Sequence, residues 1–203
     1  MIKNIILDIG DVLVKTNYND FLKNKGYDEQ TVARIARATY LSPVWKELDR
    51  GEWSFGEIVD GFVKNNPEIE KTLRHVFDDM KDFILAYPYA AHWVCGLREK
   101  GLKVYCLSNI SDKICRDCAK ELEFLKYTDG RILSYEEKLI KPDPAIYQLL
   151  LKRYDLKADE CIFIDDLENN VKAARELGIH GIVFQDRQQA ECEIEKIRGN
   201  INE

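Results

Sequence analysis

Polar side chains follow three apolar runs of this 203-residue chain, at the point where each run ends. Asp8 closes the first run, Ser108 and Asn109 follow the second, and Asp165 and Asp166 follow the third. Such runs are typical of strands that are buried on both faces, and open α/β sheets bind their ligands at the carboxyl ends of these strands. The sequence therefore predicts one site built from carboxylates, a hydroxyl and an amide.

A fourth segment adds a cation to this set. Lys141 precedes Asp143 and Pro144, which are suited to the N-cap and the first position of a helix. Lysine, hydroxyl and amide groups bind phosphate oxygens. Carboxylates suit magnesium, which takes one or two of them together with water and phosphate oxygens. The four segments together would hold a divalent cation against a phosphoryl group.

Alternating strand and helix patterns position these segments. Strands are predicted at 102–107, 131–133, 161–165 and 181–184, and helices at 89–100, 112–122, 144–154 and 169–177. This alternation indicates βαβ units. The predicted fold class is therefore α/β, a Rossmann-like parallel sheet with helices on both faces.

In these four motifs the chain resembles the haloacid dehalogenase (HAD) superfamily. The motifs occur in the family's order, as Asp8-Ile9-Gly10-Asp11-Val12-Leu13, Leu107-Ser108-Asn109, Lys141-Pro142-Asp143-Pro144 and Phe163-Ile164-Asp165-Asp166-Leu167-Glu168-Asn169-Asn170. Within the superfamily the chain is most similar to small phosphatases with a helical C1 cap and an Asp-x-Gly-x-Val first motif, including sugar-phosphate (glucose-1-phosphate) phosphatases. The resemblance implies a Mg²⁺-dependent phosphatase that hydrolyses a small phosphomonoester, a sugar phosphate, through an aspartyl-phosphate.

The resemblance also implies roles for single residues at the metal. Asp8 would be the nucleophile, and its other carboxylate oxygen would bind Mg²⁺. The backbone carbonyl of Gly10 would be a second ligand. Asp165 and Asp166 would supply the rest, with Asp166 expected to make the direct contact.

The remaining motif residues are expected to bind the phosphate. Ser108 and Asn109 begin a loop into the next helix, so a hydroxyl and neighbouring amides could face the substrate. Lys141 would balance the charges of Asp8 and the phosphate, and would act in both binding and catalysis.

The first motif departs from the common pattern at Gly10. Many phosphatases of this superfamily carry a second aspartate there, which protonates the leaving group and then activates water. Asp11 comes one residue later, and because side chains alternate along an extended chain we expect it to point away and stabilise the turn. Esters with good leaving groups, such as sugar 1-phosphates and aryl phosphates, are then expected to be favoured over alkyl phosphates.

Residues 16–86, called the insert below, break the alternation. Helical patterns occur at 31–40 and 55–64, with no convincing strand. We predict a core domain of residues 1–15 and 87–203 and a helical cap of residues 16–86. Such a cap would exclude water and select the substrate. A helical bundle that packs to the side for stability is the alternative.

Composition excludes several other classes of protein. The formal net charge is −6 and the basic residues are dispersed, which argues against a nucleic-acid partner. There is no apolar run near ~18 residues and no basic-then-apolar leader. Six cysteines lack the spacing of a zinc site. We expect a soluble, reduced, cytoplasmic enzyme with a small-molecule substrate and no membrane partner. The oligomeric state stays open.

Two alternative functions stay open at this point. A 2-haloacid dehalogenase resembles the second and third motifs and uses an aspartate nucleophile without a metal, but Asp165 and Asp166 would then repel its carboxylate substrate. A non-catalytic or weakly active binding or regulatory protein of the same fold could have lost turnover at Gly10. Magnesium dependence distinguishes the first alternative, and Asp8-dependent turnover distinguishes the second.

Overall fold

The computed structural model describes residues 1–200. Seven strands lie within this range: β1 (Asn4–Leu7), β2 (Val14–Thr16), β3 (Ile84–Ala86), β4 (Lys103–Ser108), β5 (Gly130–Leu133), β6 (Cys161–Asp165) and β7 (His180–Val183). The helices are α1 (Tyr18–Asn24), α2 (Glu29–Ala38), α3 (Val44–Arg50), α4 (Phe55–Asn65), α5 (Glu70–Val76), α6 (Ala90–Glu99), α7 (Asp112–Asp117), α8 (Ser134–Glu137), α9 (Pro144–Arg153), α10 (Glu168–Glu176) and α11 (Arg187–Asn200). Short 3₁₀ segments occur at Pro67–Ile69, Ala119–Tyr127 and Ala158–Glu160.

Five strands form one parallel sheet in the order β5-β4-β1-β6-β7. The central strand β1 lies between β4 and β6, so the residues that end or follow these three strands meet at one edge of the sheet. The chain crosses to opposite sides of β1 on its way to β4 and β6, and such a switch point is where open α/β sheets bind ligands. The predicted Rossmann-like parallel sheet is confirmed.

Alternate residues of the strands are buried on opposite faces of the sheet. Ile5 and Leu7 of β1 belong to the core on the face covered by α6 and α11. Ile6 lies on the other face, under α9 and α10. On that face Tyr147 packs edge-on against Phe163, and its hydroxyl donates a hydrogen bond of 2.9 Å to the carbonyl of Asn170. Helices therefore cover both faces, as predicted.

Most predicted elements after residue 88 agree with the structure to within two residues. The start of α9 also agrees, because the Asp143 carboxylate caps the helix by accepting the Ala145 N–H at 2.9 Å. The single helix predicted at 112–122 is wrong, since α7 ends at Asp117 and a 3₁₀ segment follows. Around this break the Asp117 carboxylate accepts the Met80 N–H, and the Cys118 thiol donates to the Met80 carbonyl.

The insert contains the helices α1 to α5, which include both predicted helical patterns. The expectation of no strand in this region is wrong. Strand β3 pairs antiparallel with β2, with Val14 opposite Ala86 and Thr16 opposite Ile84. Three residues are too few to show a strand period in the sequence.

The insert has an aromatic centre. Trp45 stacks on Phe62 and Phe83 and contacts Phe77 edge-on. The β2–β3 pair joins the two ends of the insert at the predicted boundaries, near residues 16 and 86. The division into core and cap stays a prediction, and residues 201–203 of the predicted core lie outside the described range. Within residues 1–200, no helix is both long enough and apolar enough to cross a bilayer.

Candidate active site

A buried lysine lies between two carboxylates at the carboxyl edge of the sheet. Lys141, 3% exposed, has its Nζ 2.7 Å from Asp8 Oδ1 and 2.7 Å from Asp165 Oδ2. The same ammonium donates a third bond, of 3.0 Å, to the carbonyl of Leu107. Three of the predicted site residues, separated by up to 157 positions in the chain, therefore form one hydrogen-bonded group.

Asp165 is held on both of its oxygens. The Leu167 N–H donates to Oδ1 at 2.8 Å, and Asn170 Nδ2 lies 3.0 Å and 3.1 Å from Oδ1 and Oδ2. Together with Lys141, these donors satisfy a carboxylate that has no exposed surface. Asp165 therefore orients the lysine, and Asn170 in the first turn of α10 orients Asp165.

Two carboxylates of this group, those of Asp8 and Asp165, form a cluster with the carboxylate of Asp166. Asp8, Asp165 and Asp166 each offer an oxygen, and these oxygens lie within 4.8 Å of one another. Burial, with Asp165 and Asp11 adding to it, raises the pKa of the half-buried Asp166 to about 6. In the described part of the chain no other residue donates a hydrogen bond to the Asp166 carboxylate. A set of closely spaced carboxylates fits a hard, oxygen-binding cation such as Mg²⁺, and Asp166 is the member with free oxygens.

The environment of Asp8 opposes its ionisation. Burial raises the pKa of Asp8 to about 7. The ammonium of Lys141 and the N–H of Ile9, which donates to Oδ1 at 2.7 Å, both act to lower this pKa but do not outweigh burial. For Lys141, burial acts to lower the pKa, but the carboxylates of Asp8 and Asp165 outweigh it and the pKa is raised. A bound cation would favour the ionised form of Asp8.

Ser108 and Asn109 lie beside this group at the end of β4. The Asn109 side chain exchanges two hydrogen bonds with the backbone of Lys141: Oδ1 accepts the Lys141 N–H at 2.8 Å, and Nδ2 donates to the Lys141 carbonyl at 3.0 Å. The amide therefore fixes the position of the lysine, a role that the motif alone did not reveal. Contact of Ser108 and Asn109 with a phosphate stays a prediction.

The turn after Asp8 contains Gly10 and Asp11. Asp11 has a positive φ of 51°, its N–H donates to the Val14 carbonyl at 2.7 Å, and its carboxylate accepts the Thr16 N–H at 3.1 Å. Asp11 therefore stabilises the turn, as expected. A Cβ at Gly10 would meet no atom within 4 Å, and the φ of Gly10 lies outside the left-handed region. Neither space nor backbone conformation requires glycine there. The Gly10 carbonyl as a metal ligand stays a prediction.

Asp49, in the last turn of α3, is a candidate site residue that the sequence did not predict. Its half-buried carboxylate lies within electrostatic reach of Lys141 and Asp8. Burial raises the pKa of Asp49 to about 7, with Lys141 opposing and Asp8 adding to the shift. The sequence offers no signal for it, because a charged residue at a helix end is usually solvated.

The end of α3 is held against the core by polar contacts. The Ser134 hydroxyl donates to the Asp49 carbonyl at 2.5 Å. Lys138 Nζ donates to the Gly51 carbonyl at 2.5 Å and to the Tyr135 carbonyl at 2.9 Å. Gly51 ends the helix in the left-handed conformation, with φ 72°. These contacts fix the position of Asp49 relative to the sheet.

Gly51→Ala is expected to destabilise the protein by more than the left-handed conformation alone costs. An added Cβ would lie 2.9 Å from Cα and Cβ of Tyr135. The matched control is Gly101→Ala, where φ is 79° but a Cβ meets nothing within 4 Å. The control should lose about 1–2 kcal/mol of unfolding free energy, and Gly51→Ala clearly more, in urea denaturation. Equal losses would show that the α3 end is not packed closely on Tyr135.

A cleft of about 480 Å³ opens next to the turn at Asp11. Tyr40 lies in its wall, and burial, with the charges of Asp11, Asp49 and Asp166 adding to it, raises the pKa of the Tyr40 hydroxyl. Most of the lining side chains can form hydrogen bonds: Asp11, Lys15, Thr16, Asn17, Tyr18, Asn19, Asp20 and Tyr40, with Ala36 and Leu41 completing the wall.

The fold and the site define an α/β protein in which a buried lysine and a cluster of carboxylates lie at the carboxyl edge of a parallel sheet. Residues 2–178 match the family described as haloacid dehalogenase-like hydrolase, and the chain belongs to that family. The predicted superfamily membership is confirmed.

Two relatives differ in how much of their own length this chain matches. Acyl-CoA dehydrogenase family member 10 of Mus musculus is 31% identical over 160 residues, which are 76% of this chain but 15% of the mouse protein. The chain thus spans a small part of that relative. D-ribitol-5-phosphate phosphatase of Bacteroides thetaiotaomicron is 27% identical over 207 residues, covering 94% of this chain and 95% of the relative.

A solved structure is similar over nearly the whole chain. It is a HAD family enzyme from Bacteroides thetaiotaomicron in complex with magnesium and inorganic phosphate. The TM-score is 0.70 and the sequence identity 26%, and the match covers 94% of this chain and 99% of that chain.

Proposed function

We propose that this protein is a Mg²⁺-dependent phosphatase that hydrolyses a small phosphomonoester through an aspartyl-phosphate on Asp8. One observation carries the proposal. The Lys141 ammonium lies 2.7 Å from both Asp8 and Asp165, and Asp166 completes a cluster of carboxylate oxygens within 4.8 Å of one another. A divalent cation would compensate the excess negative charge of this cluster and allow a phosphate to bind beside it.

In the proposed reaction a carboxylate oxygen of Asp8 attacks phosphorus in line with the leaving oxygen. Lys141 stays charged between Asp8 and Asp165 and stabilises the negative charge on the phosphoryl oxygens. Asp165 and Asn170 keep the ammonium in place. Water then hydrolyses the aspartyl-phosphate and regenerates the Asp8 carboxylate.

Asp8, Asp166 and the Gly10 carbonyl are the groups proposed to hold Mg²⁺, with Asp165 beside them. The bound ion would neutralise charge on the phosphoryl oxygens. Because both oxygens of Asp165 already accept hydrogen bonds, Asp166 is the better direct ligand of the pair.

The proposed substrate is a sugar phosphate or a related polyol phosphate. The cleft beside Asp11 has a mostly polar lining, which suits a hydroxylated substrate. The relative named for D-ribitol 5-phosphate supports this class. A cytoplasmic site of action, with the small-molecule ester as partner, belongs to the same proposal.

Magnesium is expected to control both turnover and stability. Chelation should abolish hydrolysis of a panel of sugar, nucleotide and aryl phosphates, and added Mg²⁺ should restore it. At Mg²⁺ about 100-fold above its dissociation constant, binding to the folded state should raise the melting temperature by roughly 5 °C or more. Asp166→Asn should lose most of this thermal shift.

Asp159→Asn is the control, because Asp159 is exposed and precedes the amino end of β6, whereas the site lies at the carboxyl end of that strand. It should keep both the activity and the thermal shift. Dehalogenation that survives chelation would instead support a 2-haloacid dehalogenase. Binding of phosphate without any turnover would support a non-catalytic module.

A further inference from the structure

An alkoxide is a poor leaving group because alcohols are very weak acids. Its departure from phosphorus is therefore assisted by a group that protonates the leaving oxygen. The residues expected to surround phosphorus already have other hydrogen bonds or other proposed roles. Asp8 is the proposed nucleophile, Lys141 bonds to two carboxylates and a carbonyl, and Asp165 accepts bonds on both oxygens. Asp11 caps the turn, and Gly10 has no side chain. None of these groups is available to protonate a leaving oxygen, and Asp166, whose oxygens are free, is proposed to bind Mg²⁺ instead.

Asp49 differs from these residues in the part of the chain that carries it and in the absence of hydrogen bonds to its carboxylate from the described residues. It comes from the insert, whereas Asp8 and Asp165 come from the sheet. Its carboxylate lies within electrostatic reach of Asp8 and Lys141, and across residues 1–200 no group donates a hydrogen bond to it. Its backbone carbonyl is fixed by the Ser134 hydroxyl at 2.5 Å. The Ser134 hydroxyl also accepts the Ile110 N–H at 2.9 Å, so Asp49 is held beside the loop that follows Asn109, with a carboxyl group that lacks a hydrogen-bond partner among the described residues.

We propose that Asp49 is a further catalytic residue, the carboxyl group that gives a proton to the leaving oxygen and later takes one from water. This inference rests on the proposed phosphatase function. It replaces the expectation that no side chain assists the leaving group, because the assistance comes from the insert instead of from the position of Gly10.

The proposed reaction has two steps. In the first, the Asp8 oxygen forms a bond to phosphorus, the bond from phosphorus to the ester oxygen breaks, and that oxygen takes the proton of the Asp49 carboxyl group. In the second, a water oxygen bonds to phosphorus and passes a proton to the Asp49 carboxylate. The bond from phosphorus to Asp8 breaks, and its electron pair returns to the Asp8 carboxylate.

The test compares Asp49→Asn with the wild type on two esters in the presence of Mg²⁺. One is a primary alkyl phosphate, whose leaving group needs a proton. The other is 4-nitrophenyl phosphate, whose leaving group does not. For Asp49→Asn we expect kcat/KM to fall by about 10²–10⁴-fold on the alkyl ester and by less than about 10-fold on the aryl ester. Because kcat/KM reports steps up to the first irreversible one, a slow second step does not disturb this comparison.

The second step has its own readout. With 4-nitrophenyl phosphate, Asp49→Asn should release nitrophenolate in a burst close to one equivalent of enzyme, because the phosphoenzyme would accumulate. The wild type should show a smaller burst or none. Asp60→Asn is the matched control, since Asp60 also lies in the insert and is exposed in an ion pair with Arg74. It should leave both esters and the burst unchanged.

Further measurements separate this role from a structural one. Inhibition by inorganic phosphate should be retained in Asp49→Asn, which would show that the site is intact. Asp49→Glu, which keeps the carboxyl group, should recover part of the alkyl ester activity. Equal losses on both esters, or no loss, would overturn the role of Asp49 while Asp8-dependent hydrolysis by the wild type still stood. If the wild type hydrolyses neither ester in an Asp8-dependent way, the proposed function falls and this inference falls with it.

Discussion

Asp8→Asn is expected to lower kcat by about four orders of magnitude or more on every phosphate ester that the wild type hydrolyses. An amide oxygen is a poor nucleophile and cannot form the aspartyl-phosphate, so the covalent route is lost. The change keeps the shape of the side chain. Steady-state assays under saturating Mg²⁺ measure the loss, and intact mass of acid-quenched enzyme should show a phosphoryl adduct for the wild type only.

The same variant should fold at least as stably as the wild type. The pKa of Asp8 is raised by burial from its ordinary value of 3.8 to about 7 in the metal-free protein. An acid whose folded-state pKa is raised destabilises the fold as pH rises from the unfolded value towards the folded one. Asparagine removes that penalty, so the unfolding free energy of Asp8→Asn relative to the wild type should increase between about pH 4 and pH 7.

Asp11→Asn is the matched control for this substitution. Asp11 lies three residues later, and its carboxylate accepts the Thr16 N–H in the turn. We expect this variant to keep its activity within about one order of magnitude, because asparagine also stabilises such turns. If Asp8→Asn kept more than about a hundredth of wild-type activity, or if Asp11→Asn were the more damaging change, Asp8 would not be the nucleophile.

The position of the site was predictable from sequence because it depends on where strands end. Asp8, Ser108 and Asp165 each end or follow a buried apolar run, and parallel strands in one sheet bring their carboxyl ends to one edge. The order of the strands was not needed for that inference. Local signals also sufficed for the start of α9, where Asp143 and Pro144 form a helix N-terminus.

The parts of the fold and of the site that depend on tertiary contacts were not predictable from the sequence. Strand β3 is three residues long and forms only by pairing with β2, 68 to 72 residues away in register. The Asn109 amide could have faced substrate, yet it bonds to the backbone of Lys141. The end of α3, which carries Asp49, is held against the core by Ser134 and Lys138. No pattern along the chain records these contacts, since each joins segments without a shared periodicity.

Lys141→Met is the second substitution expected to have a large effect, and it should damage both stability and turnover. The lysine is 3% exposed and bonds to two buried carboxylates. Removing one partner of a buried charge network leaves uncompensated charge, at a cost of about 3–5 kcal/mol. Methionine preserves much of the packing of the lysine stem, so the loss of unfolding free energy measures the effect of removing the charge. On turnover we expect a further fall of about 10²–10³-fold in kcat, because the cation that stabilises the phosphoryl oxygens is gone.

The pH dependence of this loss identifies its cause. Lys141 lowers the pKa of Asp8, so without it the folded-state pKa of Asp8 should rise further above the ordinary value of 3.8. The unfolding free energies of Lys141→Met and the wild type should therefore be closest near pH 4, where the carboxyl is protonated, and should diverge up to and beyond pH 7. Mg²⁺ should recover part of the lost stability, since it supplies positive charge to the same carboxylates.

The control is Lys3→Met, which removes a lysine from an exposed ion pair with Glu160, 2.6 Å apart, and should change stability little at any pH. A loss in Lys141→Met that is independent of pH and of Mg²⁺ would mean that the lysine acts through packing, and the electrostatic account of the site would then be wrong.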